Sequence, residues 1–261
     1  MDPIAVSVIV TTYNWPEALR LVLQALLQQQ CAIEYEIVVA DDGSAAATGA
    51  LINISKNNAH GISITHVWQE DLGFRAALCR NKAVAAARGT YLIFIDGDCI
   101  VPRDFVQQHY NLAQPGYFVP GNRILLCQGF TAMVLRQQLP VYKWHWGNWL
   151  WARIRGQCNR VLPCLRLPLG RLRLLQPRRW RGAKGCNLAM YRQDLALVHG
   201  WDSSYAGWGY EDSNLVIRLI NSRIYRKDGR FKVAVLHLWH PENNRANAAA
   251  NLAGLPKLHI N

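Results

Sequence analysis

The first hundred residues alternate between short apolar runs and segments whose apolar positions recur at helical spacing. AVSVIVTTYN at 5–14 is a strand that runs into a polar turn, and Pro16 then opens the periodic helix PEALRLVLQALLQQQ. Proline is tolerated at a first helical position because its missing N–H would have lacked a partner there. EYEIVVADDG and ISITHVW read as the second and third strands, and RAALCRNKAVAAARG as a helix closed by Gly89, leading into the fourth strand, TYLIFIDGD. Strands joined through helices in this way imply an α/β fold with a Rossmann-like, mostly parallel central sheet flanked by helices. After residue 130 the regular pattern dissolves, and it returns at GCNLAMYR.

Three acidic clusters stand where segments should end: ADDGS at 40–44, FIDGDC at 94–99 and GWGYEDS at 207–213. The first two follow strand-type runs, and carboxylates delivered at the C-terminal ends of strands are how an open α/β sheet meets a nucleotide and its metal. Ser44 is placed to cap the next helix. The chain of 261 residues, 51% apolar, can bury one large core. It divides into 1–130, which holds the strand-end carboxylates; 131–182, a basic aromatic insertion; and 183–261, which completes the same domain. With no apolar run long enough to span a bilayer and no basic region ahead of MDPIAVSVIV, a cytoplasmic protein is expected. The seven cysteines form no CxxC pair, so reduced thiols are expected rather than disulfides or zinc. TTYNWPE follows the first strand where a dinucleotide oxidoreductase would carry GxGxxG, which argues against that class.

The net charge of +12 is concentrated, because no Asp or Glu occurs between Asp104 and Asp194 while Arg and Lys crowd 136–184. That stretch interleaves its basic residues with Trp144, Trp146, Trp149, Trp151 and Trp180, a mixture suited to the headgroup layer of an anionic membrane. The plainer alternative is a solvated basic face over a small hydrophobic cluster. No recognition-helix, zinc or RNA-binding motif accompanies the charge, so nucleic acid is not the expected partner.

Taken together, VSVIVTTYN, EIVVADDGS, GFRAALCRNKAVAAARGTYLIFIDGDCIVP and KGCNLAMYRQDLALVHGWDSSYAGWGYEDSNLVIRLI resemble the sugar-nucleotide-dependent glycosyltransferases of family 2, over about residues 5–125 and 180–240. A single DxD motif says little, but DDGS, DGD and GWGxED in this order are jointly specific. The C-terminal block is similar to a subgroup that includes chondroitin polymerases and galactosyltransferase-like domains. The resemblance implies the GT-A fold, a UDP-sugar donor, Mn2+ or Mg2+ as cofactor, and an inverting hexosyl transfer in one displacement.

A departing nucleoside diphosphate needs its charge neutralised, which a divalent cation on carboxylate oxygens does. By resemblance Asp98 binds that metal and Asp96 holds the ribose or a metal-bound water. A histidine at the end of FKVAVL completes the shell, His237 being preferred and His240 close behind. Asp42 is implied as acceptor of the uracil imide N–H, with Thr11 and Tyr13 flanking the base and Arg75 and Arg80 near the diphosphate or uracil. An acceptor hydroxyl must lose a proton, so the resemblance makes Asp212 the general base and Glu211 its acceptor-binding neighbour. Trp208 and Gly209 shape a wall for a sugar ring; Gly185, Cys186 and Asn187 line the donor sugar, and Trp201 and Asp202 lie on the acceptor side. Joined to the basic aromatic stretch, this implies a lipid-linked surface-glycan acceptor, as in lipopolysaccharide, O-antigen or capsule synthesis, and a peripheral place on the cytoplasmic face of the anionic inner membrane. A non-catalytic sugar-nucleotide or glycan-binding protein of the same fold is the alternative, and intact Asp98 and Asp212 argue against it.

Overall fold

Residues 4–205, 207–242 and 247–259 are described by a computed structural model. Its strands are β1 (Val6–Thr12), β2 (Tyr35–Asp41), β3 (Ser63–Trp68), β4 (Tyr91–Asp96), β5 (Cys99–Ile100), β6 (Tyr117–Pro120), β7 (Asn122–Leu125), β8 (Asn187–Tyr191), β9 (Tyr225–Arg226) and β10 (Ala234–His237). The helices are α1 (Pro16–Leu27), α2 (Ala46–Asn57), α3 (Ala76–Ala86), α4 (Phe105–Leu112), α5 (Gln128–Gln137), α6 (Trp146–Ile154), α7 (Arg192–Leu197), α8 (Glu211–Asn221) and α9 (Ala248–Ala253).

The strands β1, β2 and β4 are buried on both faces, which is why they read as continuous apolar runs rather than alternating ones. Val8, Val10 and Ile37 pack under α1 with Leu19, Leu23 and Leu26, while Ile9, Val38 and Phe94 point the other way, into a cluster with Leu188, Leu215 and Leu219. The central sheet runs β3-β2-β1-β4-β8-β6-β9, with β1 to β4 mutually parallel and β8 antiparallel to β4. In this register Thr11 faces Asp96 and Thr12 faces Asp41, so the acidic clusters after β2 and β4 emerge at one edge. A second sheet, β5-β10-β7, pairs His237 with Cys99 on one side and Leu125 on the other.

Four local expectations change. The helix after Pro16 ends at Leu27 rather than running through the glutamines. The helix α3 ends before Gly89, whose role is close approach: a Cβ there would lie 2.5 Å from the Ser7 backbone nitrogen. Ser44 is not the helix cap, because Ala45 holds that position and the Ser44 hydroxyl accepts the Asn14 N–H while Asn14 Oδ1 accepts the Ala45 N–H. Finally, the segment beyond residue 130 is ordered into α5, α6 and three-residue to five-residue 3-10 turns, and the boundary at 130 falls inside α5. Trp149 is buried there, packed 5.0 Å from the Trp144 ring, which in turn tilts 5.7 Å from Phe130. No helix among the described residues is long and apolar enough to cross a membrane.

Candidate active site

The turn after β4 is short because Gly97 passes against β1, where a Cβ would come 2.9 Å from Thr12 Oγ1. It sends Asp96 and Asp98 in different directions. Asp98 meets the second sheet: its Oδ2 lies 3.3 Å from His240 Nε2 and 3.7 Å from His237 Nε2, and its carbonyl accepts the Leu238 N–H. Ligand atoms of Asp98, Cys99 and His237 lie within 4.8 Å of one another. Burial, with the neighbouring Cys186 and Asp98, pushes the Cys99 thiol up, and its sulfur lies 3.4 Å from Asp98 Oδ1. The carboxylate oxygen and imidazole nitrogens of this cluster suit Mn2+ better than Mg2+, and the Cys99 sulfur stands beside them. Both candidate histidines sit at this cluster, their rings 5.2 Å apart.

Asp96 instead meets Arg80, whose guanidinium is almost wholly buried and shared three ways. Nη2 lies 3.1 Å from Asp96, Nη1 lies 3.2 Å from Glu211, and Nε donates to Thr11 Oγ1 at 3.1 Å. Burial opposes the charge on Arg80, but Asp96 and Glu211 outweigh it and hold its pKa above the ordinary value. Burial raises both carboxylates, with Arg80 pulling each back down. Arg80 thus ties the end of β4 to the start of α8, and the guanidinium itself stacks 4.6 Å from the Trp201 ring.

The next residue, Asp212, is fixed from three sides. Its Oδ2 accepts the Gly185 N–H at 3.4 Å and lies 3.9 Å from Lys184 Nζ, and its Oδ1 accepts the Ser213 hydroxyl. Gly185 packs closely on Arg80, where a Cβ would come 3.2 Å from the guanidinium. The loop before α8 turns through positive φ at Gly207, Gly209 and Tyr210, leaving Trp208 half-buried beside the helix start. Glu211 and Asp212 also suit the positive end of the helix dipole, but the Arg80 pairing of Glu211 is a contact that capping does not account for.

On the other side of β1, the two aspartates of DDGS separate. Asp41 is buried and held by His66 Nε2 at 2.9 Å and the Ser44 N–H at 2.8 Å. Asp42 accepts from Gln69 Nε2 at 2.6 Å and from the Arg75 backbone N–H at 2.8 Å. Burial raises the Asp42 pKa against these two donors. Tyr13 is exposed, its hydroxyl 2.9 Å from Asp71, and the Arg75 guanidinium folds back to the Glu70 carbonyl rather than reaching outward.

Two residues expected beside the donor sugar or the acceptor are buried. Trp201 is only 1% exposed, edge-on to Phe94 at 5.2 Å and beneath Arg80. Asn187 is fully buried in β8, its side chain spent on His109 and the Asn122 and Val233 carbonyls. Asp202 receives the backbone and hydroxyl of Ser204 in a local turn, and Cys186 is buried beside Cys99. The sequence reading missed Arg123. In the β7–β10 register it shares a sheet face with Val235 and His237. Burial works against its charge, yet Cys186, Cys99, Asp96 and Asp98 around it hold its pKa up. Only the pairing with β10, far along the chain, reveals this, so GNRIL carried no signal of it.

The model of "Glycosyl transferase family 2" matches residues 7–164, and that of "N-terminal domain of galactosyltransferase" matches residues 174–236. Validoxylamine A glucosyltransferase from Streptomyces hygroscopicus subsp. jinggangensis is 29% identical over 220 residues, covering 82% of this chain and 50% of its own. Hyaluronan synthase from Pasteurella multocida is 33% identical over 95 residues, covering 36% of this chain and 10% of its own. This chain therefore spans at most about half the length of these curated relatives. Among solved structures, mannosyltransferase PcManGT from Pyrobaculum calidifontis, in complex with GDP-Man and Mn2+, aligns with TM-score 0.60 at 18% identity, over 93% of this chain and 60% of that one. S. aureus TarS aligns with TM-score 0.59 at 15% identity, over 92% and 37%. These likenesses establish the GT-A fold.

Proposed function

The chain belongs to glycosyl transferase family 2, and from that premise we propose that it is an inverting glycosyltransferase moving a sugar from a UDP-sugar to a hydroxyl of a cell-surface glycan. The observation that supports this reading is that Arg80 pairs with both Asp96 and Glu211, whose neighbours in the chain are Asp98, beside His237 and His240, and Asp212.

In this account Asp98, His237 and His240 hold a divalent cation, which when bound neutralises charge on the leaving diphosphate. Arg123 adds a fixed positive charge on the same sheet face. Asp42 receives the uracil imide N–H, its carboxylate oriented by Gln69 and the Arg75 backbone. Arg80 holds Asp96 and Glu211 together, so the ribose side and the acceptor side keep one spacing. Asp212 takes the proton from the acceptor hydroxyl as that oxygen bonds to the anomeric carbon, and the carbon–oxygen bond to the diphosphate breaks on the opposite side. Gly185, Ser213 and Lys184 keep its carboxylate aimed.

The acceptor in this reading is a lipid-linked glycan of the lipopolysaccharide, O-antigen or capsule type, met at the cytoplasmic face of an anionic membrane. Support comes from the basic, tryptophan-rich stretch 131–182. The test is a screen of UDP- and GDP-sugars with and without Mn2+, reading nucleoside diphosphate release. Release from a UDP-sugar that depends on Mn2+ and rises with a glycan acceptor supports the proposal; release from GDP-sugars alone would overturn the UDP assignment, and none from any donor would overturn the transfer.

A further inference from the structure

Helix α6 has its apolar stripe on the wrong side for a core helix. Trp149 and Ala152 face inward, onto Trp144 and the Phe130 cluster. Leu150, Trp151 and Ile154, spaced so that they share one helical face, point to solvent, with Trp151 55% and Ile154 66% exposed. The helix cannot roll to hide them, because the inner face is already packed and both ends are tied. At its start the His145 N–H donates to Asn148 Oδ1, and beyond its end the Gln157 carbonyl accepts the Cys127 N–H at 2.9 Å. The residue before that, Leu126, donates to the His237 carbonyl, so the root of α6 is two hydrogen-bonded steps from the candidate metal cluster. Leu125 and Trp239, flanking this junction, are exposed as well.

We propose that the Leu150–Trp151–Ile154 face of α6 is a membrane-docking surface that seats in the headgroup layer of an anionic bilayer. The charge around it selects that occupant. Arg153 and Arg155, both exposed, flank the stripe, Arg155 stacking 4.9 Å from the Trp151 ring, and no Asp or Glu occurs between residues 131 and 182 to oppose them; of the eleven Arg and Lys of that stretch, Arg173 is buried and Arg166 pairs with Asp104. A second copy of this chain would bring the same arginines face to face. Nucleic acid would satisfy the arginines but leave the apolar stripe in water. An anionic lipid layer accepts both, apolar side chains below the phosphates and guanidinium groups among them. Seated this way, the helix holds the His237 strand end close to the lipid surface, where a lipid-linked acceptor would present its hydroxyl.

The test is sedimentation of the full chain with vesicles of phosphatidylcholine, alone or with about a third phosphatidylglycerol, without donor or acceptor. The wild type should sediment with the anionic vesicles only. Combined Leu150→Gln, Trp151→Gln and Ile154→Gln substitutions should weaken binding at least roughly tenfold, and Arg153→Gln with Arg155→Gln by a similar factor. Both sets lie on the surface, so far-UV circular dichroism and UDP affinity should match the wild type. Failure to bind anionic vesicles, binding unaffected by the apolar substitutions, or a dimer that Ile154→Gln abolishes would each overturn the proposal. Because no sugar transfer is read, such a failure leaves the proposed reaction standing, and loss of transfer leaves this surface standing.

Discussion

Arg80 Nη1 and Glu211 Oε1 stand 3.2 Å apart across 131 residues of sequence, and the same guanidinium pairs with Asp96 at 3.1 Å. This buried cation ties the end of β4 to the start of α8.

Removing that cation should therefore cost stability as well as activity. Arg80→Ala leaves the mostly buried Glu211 and the partly exposed Asp96 without their counter-charge; breaking a fully buried pair from one side costs roughly 3–5 kcal/mol, and the exposure of Asp96 sets the loss at the lower end of that range. Urea unfolding should show a loss of that order, with Arg80→Lys losing less. A variant as stable as the wild type would mean the triad is ornamental.

The candidate cation cluster should respond to its histidines individually. Chelation should suppress turnover, and added Mn2+ should restore it more fully than Mg2+. Substituting His237 or His240 by Gln should weaken Mn2+ binding at least about tenfold, the drop that even an outer-shell change produces. Titration of free Mn2+ by electron paramagnetic resonance measures this directly. Equal affinity in wild type and both variants would remove the histidines from the site.

How far the sequence carried the site depends on how local each signal is. Asp96, Asp98 and Asp42 were legible because an apolar strand ending in carboxylates is a pattern confined to a few residues. The pairing of His237 and His240 with Asp98 required the family resemblance, since β10 and β5 meet only in space. Arg80 read as a possible diphosphate or uracil ligand from its place beside the nucleotide edge; its pairing with Glu211, 131 residues away, is named by no local pattern. Trp201 read as an acceptor-side residue through the family resemblance, not through a local pattern. Positive φ at His199 and Gly200 instead turns it under Phe94. The helices α5 and α6 were hidden because tryptophans fall on both faces of α6, which erases the periodicity a core helix would show.

Acid should destabilise the fold through His109. Burial, with Asn187 opposing weakly, pushes this imidazole down to about 3, and its Nδ1 has no hydrogen-bond partner among the described residues. An unfolded chain takes up that proton near pH 6.5, so between the two values the unfolded state binds more protons and stability falls as pH drops, by up to about 1.4 kcal/mol per pH unit. His109→Gln keeps a donor for Asn187 and should flatten the fall between pH 6.5 and about 5. Glu36 and Asp41, whose pKa values are lowered, lose their contributions only at lower pH. Denaturant midpoints across this window, compared between the two proteins, check the assignment; parallel curves would reject it.

The account stands or falls on Asp212 as the proton acceptor. The most direct measurement is transfer by Asp212→Asn, with Mn2+ and the preferred UDP-sugar, alongside UDP affinity of the same protein. The amide can still accept the Gly185 N–H but cannot take a proton from the acceptor, so UDP binding should be unchanged while turnover falls about 10²–10⁴-fold. Turnover equal to the wild type, with binding intact, would contradict it.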